Sequence, residues 1–140
     1  MLWPQRAKLT KNAALSLTRI RAEALAATGK RAEALAAFAA LAKENPDSAA
    51  IQEGYADILL SGDAASVKLS LDQWRRILSR AKPRSELWFK AKYSVALAQF
   101  KLGEKKEAAA VLRYTLELPP GLAGTVWQEK YQTLLRECER

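Results

Sequence analysis

The chain has 140 residues, 49 % of them apolar, and carries a net charge of +8. That is the length of one domain, with enough apolar material for a continuous core, but no apolar run approaches the roughly 20 residues of a membrane-spanning helix. The absence of histidine removes the commonest general base and the commonest transition-metal ligand together, and the single cysteine, Cys138, permits no internal disulfide.

Alanine and leucine dominate while valine and isoleucine are scarce. This is a helical composition, because β-branched side chains lose more freedom in a helix. Seven helices are predicted. The first covers about 6–28, with Leu9, Ala13, Leu17, Ile20, Ala24 and Leu25 mostly at steps of three and four. Gly29 ends it, since glycine tolerates the left-handed backbone that closes a helix. The second spans about 31–44, with Leu35, Phe38 and Leu41 on one face, and stops at Asn45-Pro46. Asp47 or Ser48 caps the third, about 49–61, which carries Ile51, Tyr55, Ile58 and Leu59.

Asp63 caps the fourth helix, about 64–81, whose apolar face is Val67, Leu71, Trp74, Ile77 and Leu78. Ser85 caps the fifth, about 86–102. It bears two apolar stripes, one through Trp88, Ala91, Val95, Ala98 and Leu102, the other through Phe89, Tyr93, Ala96, Leu97 and Phe100. Apolar character over so much of the circumference predicts contacts on more than one side. The sixth helix covers about 105–117, with Ala108, Val111, Leu112 and Leu116 inward. After Pro119-Pro120-Gly121, Thr125 caps a last helix carrying Trp127, Tyr131, Leu134, Leu135 and Cys138. Neither period-two alternation nor a hairpin turn signal competes with this reading.

Two stretches share one spelling. Gly29, Glu33, Ala34, Phe38 and Pro46 recur at identical spacings as Gly103, Glu107, Ala108, Leu112 and Pro120, and Pro83 lies midway, 37 residues from each of the other prolines. A fixed period in the range of about 20–50 residues marks a stacked repeat. Between Gly62 and Pro83 the spacing grows from 17 residues to 21, about one extra helical turn.

The pattern resembles the tetratricopeptide repeat family, two antiparallel helices per roughly 34 residues. The best match is 89–120, with Ala96 at the small position of the first helix, then Gly103, Ala108, Leu112 and Pro120; the usual aromatic three residues after Ala96 is displaced to Phe100, with Gln99 in its place. The first unit offers Ala22, Leu25, Gly29, Ala34, Phe38 and Pro46, the middle one Ala56 and Leu59. The family's usual Trp and Gly of the first helix are missing from all three units. The resemblance covers about 15–120. It implies an all-α solenoid of three antiparallel helix pairs plus a C-terminal capping helix, one domain over 1–140 with units of about 6–46, 47–83 and 84–120 and the cap at about 125–138.

The same resemblance implies protein–protein interaction, with a peptide or partner helix held in a concave groove lined by the first helix of each unit. By register the groove residues are Arg19, Glu23, Glu53, Asp57, Leu60, Lys90, Tyr93, Leu97, Phe100 and Lys101, acidic in the middle and basic and aromatic toward the third unit. Basic side chains there would hold carboxylates, and Tyr93, Leu97 and Phe100 would form an apolar anchor site. Arg19 and Lys90 stand at basic places of the family's carboxylate clamp, but Glu23 and Gly54 replace its asparagines, which disfavours a C-terminal carboxylate ligand. No cofactor, metal or catalytic residue is expected, and no enzymatic activity, because neither a nucleophile–base pair nor a phosphate loop is present.

Charge supplies the alternative. Residues 68–106 hold eleven Lys/Arg against Asp72, Glu86 and Glu104. With Trp88, Phe89 and Tyr93 nearby, a basic helical repeat that binds single-stranded nucleic acid is the second reading. The acid-free segment 1–22 reads either as an amphipathic presequence or as a direct continuation of the first helix, whose apolar stripe would serve self-association. The expected compartment is the cytoplasm, as a whole protein or as the C-terminal piece of a longer one whose stack this segment extends.

Overall fold

The computed structural model describes residues 3–119, 121–122 and 124–140 and, within the first helix, the side chains of residue 13 and of residues from 15 on. Pro120 and the side chain of Leu9 lie outside the described residues. Among those residues there are seven helices and no strand: α1 (Trp3–Ala27), α2 (Arg31–Glu44), α3 (Ala49–Leu60), α4 (Ala64–Arg80), α5 (Glu86–Lys101), α6 (Lys105–Glu117) and α7 (Val126–Cys138). No helix among them is long and apolar enough to cross a membrane. The chain divides into two compact units, Met1–Ile58 and Leu59–Arg140.

Helix boundaries follow local chemistry. Gly29 and Gly103 adopt φ of +82° and +86°, a conformation that strains any residue with a Cβ. The side chain of Asp63 accepts from the Ser66 amide at 2.9 Å, and Ser85 Oγ accepts from Trp88 N at 3.2 Å, each satisfying an amide that the first helical turn leaves open. Ser48 does the same for Ile51 N at 3.4 Å. Thr125 behaves otherwise: its hydroxyl donates backward to the Leu122 carbonyl at 2.6 Å and accepts no amide of α7. A hydroxyl serves either a turn or a helix, and here the tight turn after Gly121 takes it.

In the first unit α1 packs on α2. Ala22 and Ala34 are 1 % and 0 % exposed, and their small side chains suit the closest approach of helices. Phe38, 2 % exposed, joins them in one cluster with Ile58. Its ring fills the space beside Gly54 of α3, where an added Cβ would stand 2.6 Å from Phe38 Cε1. Glycine in mid-helix costs roughly 1 kcal/mol relative to alanine; here the phenyl ring requires it. Gln52 donates to the carbonyls of Ala42 and Asn45 at 2.9 and 3.1 Å, tying the start of α3 to the end of α2. Arg31 donates to the Ile58 carbonyl at 3.0 Å.

In the second unit α5 packs against α4, α6 and α7, as its double stripe predicts. Trp74 is fully buried in α4. Ala96, Ala108, Leu112, Trp127, Tyr131, Leu134 and Cys138 belong to one core cluster. The α7 rings are held by polar bonds as well as by burial: Tyr131 Oη donates to the Phe89 carbonyl, and Trp127 Nε1 donates to Glu86 at 3.0 Å.

Candidate functional site

In the first unit, Arg19 and Glu23 face each other one helical turn apart on α1 and form an ion pair at 3.1 Å. The two charges read as separate groove positions thus partly neutralise each other. Glu53 is half-buried and Asp57 exposed on α3. Leu17 and Ile20 are 50 % and 53 % exposed, so the apolar stripe of α1 is open to solvent at those two residues.

In the second unit, Leu60 is a core residue, 7 % exposed. What it offers is its carbonyl, which accepts from Lys101 Nζ at 3.0 Å. A lysine reaching the open carbonyls of a helix end satisfies them and suits their partial negative charge. Lys90 is half-buried, its ammonium 5.7 Å from the centre of the Trp74 ring. Tyr93, Leu97 and Phe100 are half-buried against the cluster shared by α5, α6 and α7. Tyr93 stacks on Tyr131 at 5.8 Å and leans on Trp127 at 6.0 Å. Burial raises the Tyr93 phenol above its ordinary range, and it raises that of Tyr131 further. Both rings stay neutral at any physiological pH.

The structure therefore gathers Lys90, Tyr93, Leu97, Phe100 and Lys101 on α5, and gives most of them intramolecular partners. The aromatic positions contribute to holding α7 and are half-buried, as is Lys90, while Lys101 is exposed. The cations of the basic stretch disperse over different neighbours: Lys90 over Trp74, Lys92 over Trp88 and Tyr114, Lys105 over Phe100. Sequence reasoning missed Tyr114 of α6, which is 62 % exposed. It also missed that α7 repeats the spacing of α3: Trp127, Tyr131, Leu134 and Leu135 against Ile51, Tyr55, Ile58 and Leu59. That signal was legible. The position of Tyr114 beside α5 depends on how two helices pair, which no local pattern encodes.

Comparison with curated proteins and with solved structures gives no match. A comparison with family models does: residues 15–58 match the model of the tetratricopeptide repeat. The seven helices and their pairing are consistent with an α-solenoid of helix pairs, an architecture that typically carries no catalysis. The match supports a tetratricopeptide repeat family for this chain and places the repeat signature in residues 15–58.

Proposed function

We propose that this protein is an adaptor or scaffold module that binds a segment of another protein through the exposed faces of its repeat helices. Repeats of this family generally mediate protein–protein interaction, and the match over residues 15–58 is the observation that carries the proposal. On α5 the contact would be made by Lys90 and by the open edges of Tyr93 and Leu97, which lie at helical spacing on one side of the helix. On α1 it would be made by Arg19 and Glu23. A peptide with an apolar side chain and a nearby carboxylate suits the α5 face, since Lys90 lies about one helical turn from the half-buried Tyr93. Burial of the tyrosines fixes them before a ligand arrives, which lowers the ordering cost of binding.

The test is affinity capture from native lysate with the wild-type chain and with Lys90→Glu, both checked for folding by circular dichroism. A partner that is retained by the wild type and lost by Lys90→Glu supports the proposal. Identical sets of partners for the two proteins would sink the role given to α5.

A further inference from the structure

A second surface lies on the side of α5 away from the Tyr93–Tyr131 stack. Lys92 Nζ sits 5.3 Å from the centre of the Trp88 ring and 5.8 Å from that of Tyr114. Both distances are within cation–π range. Two rings from two helices thus bracket one ammonium. Trp88 is fixed edge-on against Phe89 at 5.1 Å and 83°. Tyr114, at 62 % exposure, presents a large ring that the core does not use. The frame is tied at its end. Arg84 adopts a left-handed φ of 68° and donates to the Pro119 carbonyl, joining the turn before α5 to the turn after α6. Trp88 and Tyr114 lie on the helical turns next to that tie.

Among the described residues, no carboxylate lies within ion-pair distance of Lys92. A cation partly stripped of water by two rings and left without a counter-charge attracts a carboxylate more strongly than a solvated lysine does. The surrounding stretch, 68–106, carries eleven cations and three acids, so the approach is favourable for an anion over a longer range.

From this arrangement we infer that Trp88, Lys92 and Tyr114 form a docking point for an acidic segment of a partner protein, with a carboxylate on Lys92 and an apolar or aromatic neighbour against the Tyr114 ring. Single-stranded nucleic acid fits less well. A stacked strand needs successive open ring faces, whereas Trp88 is half-buried and, of the two rings, Tyr114 alone is largely exposed. A carboxylate meets the ammonium from its open side and leaves both rings in place. This surface is distinct from the α5 face proposed above, and either one can fail without the other.

The test is fluorescence anisotropy with two probes, a short fluorescein-labelled peptide rich in glutamate and tryptophan and a labelled oligothymidylate. The peptide is expected to bind saturably. Lys92→Glu should raise Kd about tenfold or more, and Lys92→Met and Tyr114→Ala several-fold each, in the range of an interface hot spot. Lys130→Glu, which alters the cation over Trp127 on α7, should leave Kd unchanged. Tyr114 and Lys130 are exposed, so those two variants should keep the wild-type melting curve and remain informative if a Lys92 variant fails to fold. Absence of peptide binding, equal weakening by Lys130→Glu, or binding of oligothymidylate in place of the peptide would overturn the inference.

Discussion

The two compact units solve the same packing problem with different materials. In Met1–Ile58 small residues, Ala22 and Ala34, are fully buried in the core, and one large ring, Phe38, is accommodated by the missing side chain of Gly54. In Leu59–Arg140 the space is filled by rings. Trp74, Trp127 and Tyr131 are buried, Tyr93 stacks on Tyr131, and two of the four rings also make hydrogen bonds. Phe38 corresponds in the repeat spelling to Leu112, and Gly54, by the shared spacing of α3 and α7, to Lys130. The Phe38 ring goes with the missing side chain of Gly54, whereas Lys130 is exposed and its ammonium lies 5.1 Å from the centre of the Trp127 ring.

The largest test of that contrast is in the second unit. Tyr131→Ala should cost about 3–5 kcal/mol, the range for removing a fully buried aromatic, measured by urea unfolding. A loss under about 1 kcal/mol would mean that α7 is not part of the core. Tyr131→Phe keeps the ring and drops the bond to the Phe89 carbonyl. It should cost about 0.5–1.5 kcal/mol and change the alkaline limb. Burial raises the Tyr131 phenol in the folded state, so the stability it contributes is complete below the unfolded pKa of about 10 and is lost as pH rises toward the folded value. The fall in stability above that pH should be shallower in Tyr131→Phe than in the wild type.

Next in size is Gly54→Ala. Alanine is the better helix former by roughly 1 kcal/mol, yet the added methyl meets the Phe38 ring. Overpacking of about 1–3 kcal/mol should win or at least cancel the gain. The decisive measurement is the double-mutant cycle with Phe38→Leu, the residue type that the corresponding position, Leu112, carries. Gly54→Ala should be tolerated, or stabilising, in the Phe38→Leu background, with a coupling of about 1 kcal/mol or more. Additivity would show that the glycine serves another purpose.

Smaller effects should attend the basic side chains that donate to carbonyls in each unit. Arg31→Met and Lys101→Met remove the bonds to Ile58 and Leu60, and each should cost about 0.5–1.5 kcal/mol. The smallest belongs to the exposed Arg19–Glu23 pair, where Arg19→Ala should change stability by less than about 0.5 kcal/mol, and less still in high salt.

Much of the fold was legible because it is written in local chemistry. Gly29, Gly103, Asp63 and Ser85 mark helix ends whose geometry depends on neighbours within four residues, and the structure puts the ends there. Thr125 shows the limit, because its hydroxyl has two local uses and the sequence does not say which one the chain takes. Gly54 was legible as a departure from a clamp position, while its physical cause, the Phe38 ring, lies on another helix. The α5 residues were placed on the correct helix by periodicity. That Tyr93 would stack on Tyr131, and that Lys92 would lie between Trp88 and Tyr114, depends on the distances between helices set by packing.

The most direct test of the central claim, that this chain works by holding another protein, is cross-linking mass spectrometry of the chain in native lysate. The account predicts reproducible cross-links from Lys90 and Lys92 on α5 to a small set of proteins, with those from Lys92 depleted when the chain carries Lys90→Glu and Tyr114→Ala together. The absence of reproducible cross-links to any other protein, or cross-links from Lys92 unchanged by those substitutions, would contradict it.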